Sequence, residues 1–441
     1  NAPNHPPGSS ILSLPIVTLF SFFDTGGVER INPTGSYAYA GYFASNLVFI
    51  LISFYLLRKI IQKKGLQNNS DLVLLISFVG TLVHYVTTRF MMAHAAEFLL
   101  CTILIYIFET KKYPYDQTNI IYLFISYFFL SITRPSTFIY SLCLLGIYLF
   151  KFKFDKKNIK FYSFFLLLFS YFHYLISMKL YKSSNFFFNY STVLDQQNFS
   201  NEINFEFILS NFSKLPNLFF SLSMGIVWVC PIIFFGLIAL FFRTKFLSNL
   251  NVLSKSFLFL YIIGALVVVI AWQGRDVSFG QRLLIGLIPF LTIRTSELAS
   301  NFIRSKYYLT PFLFSTYLGY LYLYSSEVLT LRKGKTLWGN VVGYSGEDYF
   351  LYLFQNLTNL ENILSILSRN IATVNLFHFI KFNEIEVYFK NFEFLPVEKI
   401  STFSTYANIY YETNLGYLLT INLLILLFCY LFTKKILVIN D

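Results

Sequence analysis

Stretches of fifteen to twenty-five apolar residues follow one another along nearly the whole chain, with short polar linkers between them. A run of that length crosses, or with tilt nearly crosses, a hydrocarbon core of about 30 Å as an α-helix. Within lipid, a helix satisfies its own backbone N–H and C=O groups, which no open strand can do. The chain is therefore expected to be an all-α polytopic membrane protein. Eleven transmembrane helices are placed at 37–57, 71–88, 90–108, 119–133, 137–150, 160–178, 218–242, 257–272, 283–300, 307–324 and 416–432. The apolar stretch 11–23, ILSLPIVTLFSFF, is too short to cross and carries Pro15; it is expected as a helix lying at the interface.

Charge then gives orientation. Only 13% of residues are charged, against roughly 25% in soluble domains, and the net charge of +12 is scattered in short clusters between apolar runs. That distribution is a topology signal and excludes a nucleic-acid footprint. With the amino end outside, the inward loops hold 17 basic residues and the short outward segments hold five: Arg30, Arg89, Arg134, Arg275 and Arg282. The positive-inside rule thus places the carboxyl tail in the cytoplasm. The expected organisation is an outward segment 1–36 with the interfacial helix and a helical domain 37–324 with an outward loop 179–217. An extracytoplasmic cap at 325–415 and a last span and tail at 416–441 complete it. Cys101, Cys143, Cys230 and Cys429 lie inside apolar runs without metal-ligand spacing.

Unusual polar stretches gather on the outward side in this topology: NHPPG, TTRFMMAHAAEF, SITRPS and AWQGRDVSFGQR. Their arginines sit at helix ends, where a cation costs on the order of 1 to 3 kcal/mol unless paired or wetted. His94 and Glu97 are three apart and share a helix face, with Arg89 at the preceding turn. That trio could bind a phosphate and handle a proton, or His94 and Glu97 could join two helices by a hydrogen bond. Arg275 and Arg282 in a glycine-punctuated loop can fork onto phosphate oxygens, with Asp276 orienting one of them or binding an acceptor. Arg134, followed by Pro135, reads first as an interfacial anchor. His5 sits in a stiff proline turn, either on a phosphate or in solvent. No P-loop, dinucleotide glycine fingerprint, HExxH, CxxC or GxSxG occurs, which argues against nucleotide-driven chemistry.

In order along the chain, PNHPPGSSILSLP, RFMMAHAAEFLL, SITRPSTF, MGIVWVCPIIFFGLIAL and WQGRDVSFGQRLLIGLIPFL resemble segments of the C-type membrane glycosyltransferases. The likeness is to the protein mannosyltransferase-like and lipid A aminoarabinose transferase-like family, over residues 1 to about 290. The resemblance implies a polyprenyl-phosphate-linked sugar donor, and an acceptor glycan, lipid or protein on the outer face. The membrane would be the bacterial inner membrane or, alternatively, the endoplasmic reticulum. It places His5, Arg89, His94, Arg275 and Arg282 on the donor phosphate, with Glu97 and Arg134 in support. The family's base lies in the first outward loop, after the first helix and ahead of the Pro-Gly segment, so here it is expected upstream of Asn1, following a further helix that would make twelve. Within the chain, Asp24, Glu29 and Asp276 are the base candidates. Glu97 stands where the family is expected to carry a small polar residue. A divalent cation is compatible with such chemistry, but no carboxylate cluster in the sequence would hold one. Two other readings are a transporter or flippase of an anionic lipid or polysaccharide, and a non-catalytic scaffold subunit. A transporter is expected to carry ionisable groups near the midplane of repeated halves; the sequence shows no repeat, and its charges are expected at one surface.

Overall fold

A computed structural model describes residues 7–23, 37–66, 70–78, 93–110, 117–134, 159–181, 215–220, 230–241, 252–271 and 282–302, with residues 82, 137, 138, 141–143 and 226 between them. Among the described residues every element is helical. The α-helices are α1 (Gly8–Ser21), α2 (Tyr37–Lys63), α3 (Ser70–Ser77), α4 (His94–Thr110), α5 (Gln117–Thr133), α6 (Ile159–Ile176), α7 (Leu215–Phe220), α8 (Pro231–Phe241), α9 (Val252–Ala271) and α10 (Ile288–Phe302). A π-turn, Ser177–Tyr181, follows α6, and a 3-10 turn, Arg282–Leu287, leads into α10. Among the described residues, two segments are long and apolar enough to cross a membrane, Gly41–Lys63 and Ser163–Leu180. The expected spans 307–324 and 416–432, the cap 325–415 and most of the loop 179–217 lie outside the described residues.

The helix expected over 218–242 is not continuous: Cys230 is non-helical and α8 begins at Pro231. Proline has no N–H to continue a preceding helix and is well placed to begin the next. Pro289 explains the 3-10 turn before α10 in the same way, because it cannot donate to the carbonyl four residues back.

The core is organised around α4, which packs against α1, α2, α5, α10 and the 3-10 turn. Phe98 and Phe108 of α4 are fully buried, and the Phe54 ring of α2 makes edge contacts with Phe98 and with Phe78. α1 runs antiparallel to α2: Val17 and Phe20 lie over Gly41, and the Ser45 hydroxyl reaches the Ser13 carbonyl. A Cβ on Gly41 would stand 2.8 Å from Val17 Cα, so the approach depends on the missing side chain. The stretch 11–23, expected as an interfacial helix, lies largely within α1, whose amino end, Gly8, rests on Ile132 and Thr133 of α5.

On two helices small or polar residues lie on the buried face, and large apolar side chains are exposed. On α1, Gly8, Ser9 and Ser13 are buried while Ile11, Leu14, Leu19 and the following Phe22 are exposed. On α6, His173 and then Ser177 face inward with Phe169, while Phe164, Leu166, Leu167, Tyr171 and Phe172 face outward, Leu167 at 71% exposure.

Candidate functional site

The amino end of α4 presents His94 and Glu97 one turn apart, and both are buried. The helix N-terminus is electrostatically suited to a carboxylate in its first turn. Glu97 Oε2 lies 3.3 Å from His94 Nδ1 and 3.4 Å from the Nε of Arg134, which follows the last residue of α5. Thr137 donates its hydroxyl to the other oxygen, Oε1. The backbone of Gly286, in the 3-10 turn, is hydrogen-bonded to the same carboxylate. The carbonyl of Gly286 accepts from the Tyr261 hydroxyl of α9 at 3.3 Å. One carboxylate therefore joins residues from three separate parts of the chain.

Gly286 is required for this approach. A Cβ there would meet Thr137 Cγ2 and lie 3.0 Å from Glu97 Oε1. Arg134 closes the cluster on its outer side, with its side chain 18% exposed and NH1 3.4 Å from His94 Nδ1. A guanidinium can only donate and a carboxylate only accept, so Nδ1 cannot serve both. With Glu97 ionised, Nδ1–H donates to Oε2 and the lone pair of the neutral ring lies on Nε2.

Of the site residues expected from sequence, the structure brings together His94, Glu97 and Arg134. Arg282 enters by its backbone, as the first residue of the 3-10 turn that carries Gly286. His5, Asp24, Glu29, Arg89, Arg275 and Asp276 lie outside the described residues. Arg134, read first as an interfacial anchor, is instead the ionic partner of a buried carboxylate. Sequence reasoning missed Thr137 and Gly286, whose only local signals were a Thr after an Arg-Pro step and a Gly inside an apolar run.

It also missed a second ionic cluster. Lys64, just after α2, lies 2.7 Å from Glu109 of α4 and 3.8 Å from Glu297 of α10, and Glu297 pairs with the fully buried Arg294. Arg294 also covers the Phe290 ring. Lys63 donates to the Thr110 carbonyl at the end of α4. Glu109 is twelve residues beyond Glu97 on the same helix, roughly 18 Å away. The expectation that charges gather at one surface is corrected accordingly: α4 carries an ionic cluster at each end. Among the described residues no three His, Cys, Asp or Glu side chains come together to hold a metal ion. No protein-family model, curated protein or solved structure matches the chain.

Proposed function

We propose that this chain is a membrane glycosyltransferase that moves a hexosyl or pentosyl group from a polyprenyl-phosphate donor to an acceptor hydroxyl on the extracytoplasmic face. One observation carries the reading. Four segments chosen on sequence grounds, far apart in the chain, meet at one place. Gly8 rests on Thr133, Arg134 and Thr137 meet His94 and Glu97, and Glu97 meets Gly286. The fifth segment contributes α8, which packs on α10 with Gly236 against Leu291.

The chemistry follows from charge. As the bond from the sugar C1 to the phosphate oxygen breaks, its electron pair stays on the phosphate, and a positioned guanidinium stabilises that charge. The acceptor oxygen bonds to C1 and its proton passes to a base. Glu97 is poorly placed for that role, since both its oxygens are engaged. The base candidates remain Asp24, Glu29 and Asp276.

The membrane setting is supported by the faces of α1 and α6. In water, a helix turns its apolar stripe toward the core; these two expose large apolar side chains, while Ser9, Ser13, His173 and the following Ser177 are buried. Lipid accepts such a face, and a nucleotide-independent donor dissolved in that lipid could reach the site from it.

Incubating the purified protein with a panel of polyprenyl-phosphate sugars, and following loss of donor, tests the reading. Transfer should occur with at least one donor and fall about a hundredfold in Arg134→Ala, as for lost transition-state charge stabilisation. Absence of turnover with the whole panel, in protein that binds polyprenyl phosphate, would sink it. That last outcome would favour a transporter of an anionic lipid, for which the buried Arg294–Glu297 pair is the supporting observation.

A further inference from the structure

Glu97 has more partners than a helix-joining hydrogen bond requires, and they are divided between its two oxygens. Oε1 accepts from Thr137, and Gly286 approaches closest to this same oxygen. Oε2 faces His94 Nδ1 and Arg134 Nε and holds both in place. Thr137 thus fixes the carboxylate from one side, while its other oxygen sets the neutral His94 ring and the Arg134 guanidinium. Arg134 uses its Nε edge on Glu97, and the NH2 group makes no hydrogen bond among the described residues. A guanidinium held along one edge by a carboxylate presents the other edge in a fixed direction, which suits two oxygens of a phosphate.

We propose that Glu97 is a positioning residue for an anion seat: held by Thr137 and Gly286, it aims the outer edge of Arg134 at a lipid phosphate and fixes the Nδ1–H tautomer of His94. This rests on the transferase reading only for the nature of the anion. Glu97 holds no substrate itself, and its negative charge opposes an anion at longer range. Orientation must therefore outweigh repulsion, which makes the sign of the Glu97→Gln effect decisive.

The test uses the full chain in lipid nanodiscs, titrated with polyprenyl monophosphate and, as control, the neutral polyprenol. Thr137→Val should weaken monophosphate binding about tenfold, in line with a hydrogen bond to a charged group, and leave polyprenol binding unchanged. Thr137→Ser, which restores the hydroxyl, should recover wild-type affinity. Glu97→Gln should weaken binding at least as much. Nitrogen-15 spectra of histidine-labelled protein, with His94 assigned through His94→Gln, should show the Nδ1–H tautomer in wild type and a mixture in Glu97→Gln. Wild-type protein that binds no monophosphate, while the tautomer responds as stated, would overturn the anion seat and the transferase reading together. Monophosphate binding that is unchanged in Thr137→Val, or equal or tighter in Glu97→Gln, would overturn the positioning role alone. Recovery by Thr137→Ser separates either result from a failure to fold.

Discussion

Lys64 Nζ lies 2.7 Å from Glu109 Oε2 and 3.8 Å from Glu297 Oε1, so one cation just past the end of α2 is shared by carboxylates on α4 and α10. Both carboxylates are almost fully buried, whereas the Lys64 side chain keeps a fifth of its surface. The arrangement closes the bundle at the end opposite Glu97 and fixes how α10 lies on α4. Because α10 follows directly on the turn that carries Gly286, the two ends of α4 are mechanically linked.

Removing Lys64 strands charge. Lys64→Met should destabilise the detergent-solubilised protein by about 2 to 4 kcal/mol, because breaking a buried pair leaves an uncompensated carboxylate. The double variant Lys64→Met with Glu109→Gln should recover part of that loss. Thermal or denaturant unfolding of the four members of the cycle measures the coupling. Strictly additive losses would show that Lys64 and Glu109 do not depend on each other.

At the other end the controlling feature is a missing side chain. Gly286→Ala places a methyl against Thr137 Cγ2 and Glu97 Oε1, and overpacking of this kind costs about 1 to 3 kcal/mol. Donor turnover should fall along with the melting temperature. Adding Thr137→Ser removes the methyl that crowds first and keeps the hydroxyl, so the pair should be more stable than Gly286→Ala alone. If the double variant is no better than the single, the crowding lies elsewhere.

Long apolar runs made much of the fold readable: α2, α5, α6 and α9 begin and end within about six residues of the expected spans. Periodicity fails where the backbone changes hand-holds without a change in hydrophobicity, as at Cys230–Pro231 and in the turn before Pro289. The His94–Glu97 pair was legible because i, i+3 spacing is local. Its meeting with Arg134 was not, since that depends on how α4 and α5 pack. Arg294 and Glu297 share the same local spacing, yet an apolar run around them concealed a pair that a search for ionisable residues inside spans would have found. Lys64, by contrast, looked like one more cation of an inward loop, and nothing local marks it as the partner of two buried carboxylates.

The outward face of α6 offers a direct test of the lipid setting. A nitroxide attached at Leu167→Cys, on that face, should be relaxed by dissolved oxygen and shielded from a water-soluble nickel chelate in bilayers. A label at Arg58→Cys, near the carboxyl end of α2, should show the reverse preference, because that end carries the basic residues expected at a membrane surface. Equal nickel accessibility at both positions would place α6 in water.

Two glycines of similar crowding should differ in function. Gly41 receives Val17 and Phe20 where α1 meets α2, whereas Gly8 sits on the backbone of Ile132 and Thr133, one residue before Arg134. Alanine at either position should destabilise by about 1 to 3 kcal/mol, since the nearest atoms include backbone that cannot rotate away. Only Gly8→Ala pushes directly on the segment that holds Arg134 against Glu97, so it alone should weaken polyprenyl monophosphate binding, by an expected three- to tenfold at about 0.7 to 1.4 kcal/mol. Gly41→Ala should loosen α1 with affinity preserved. Matching affinity losses in the two variants would mean that α1 acts on the site as a whole helix, and that the contact at Gly8 has no separate role.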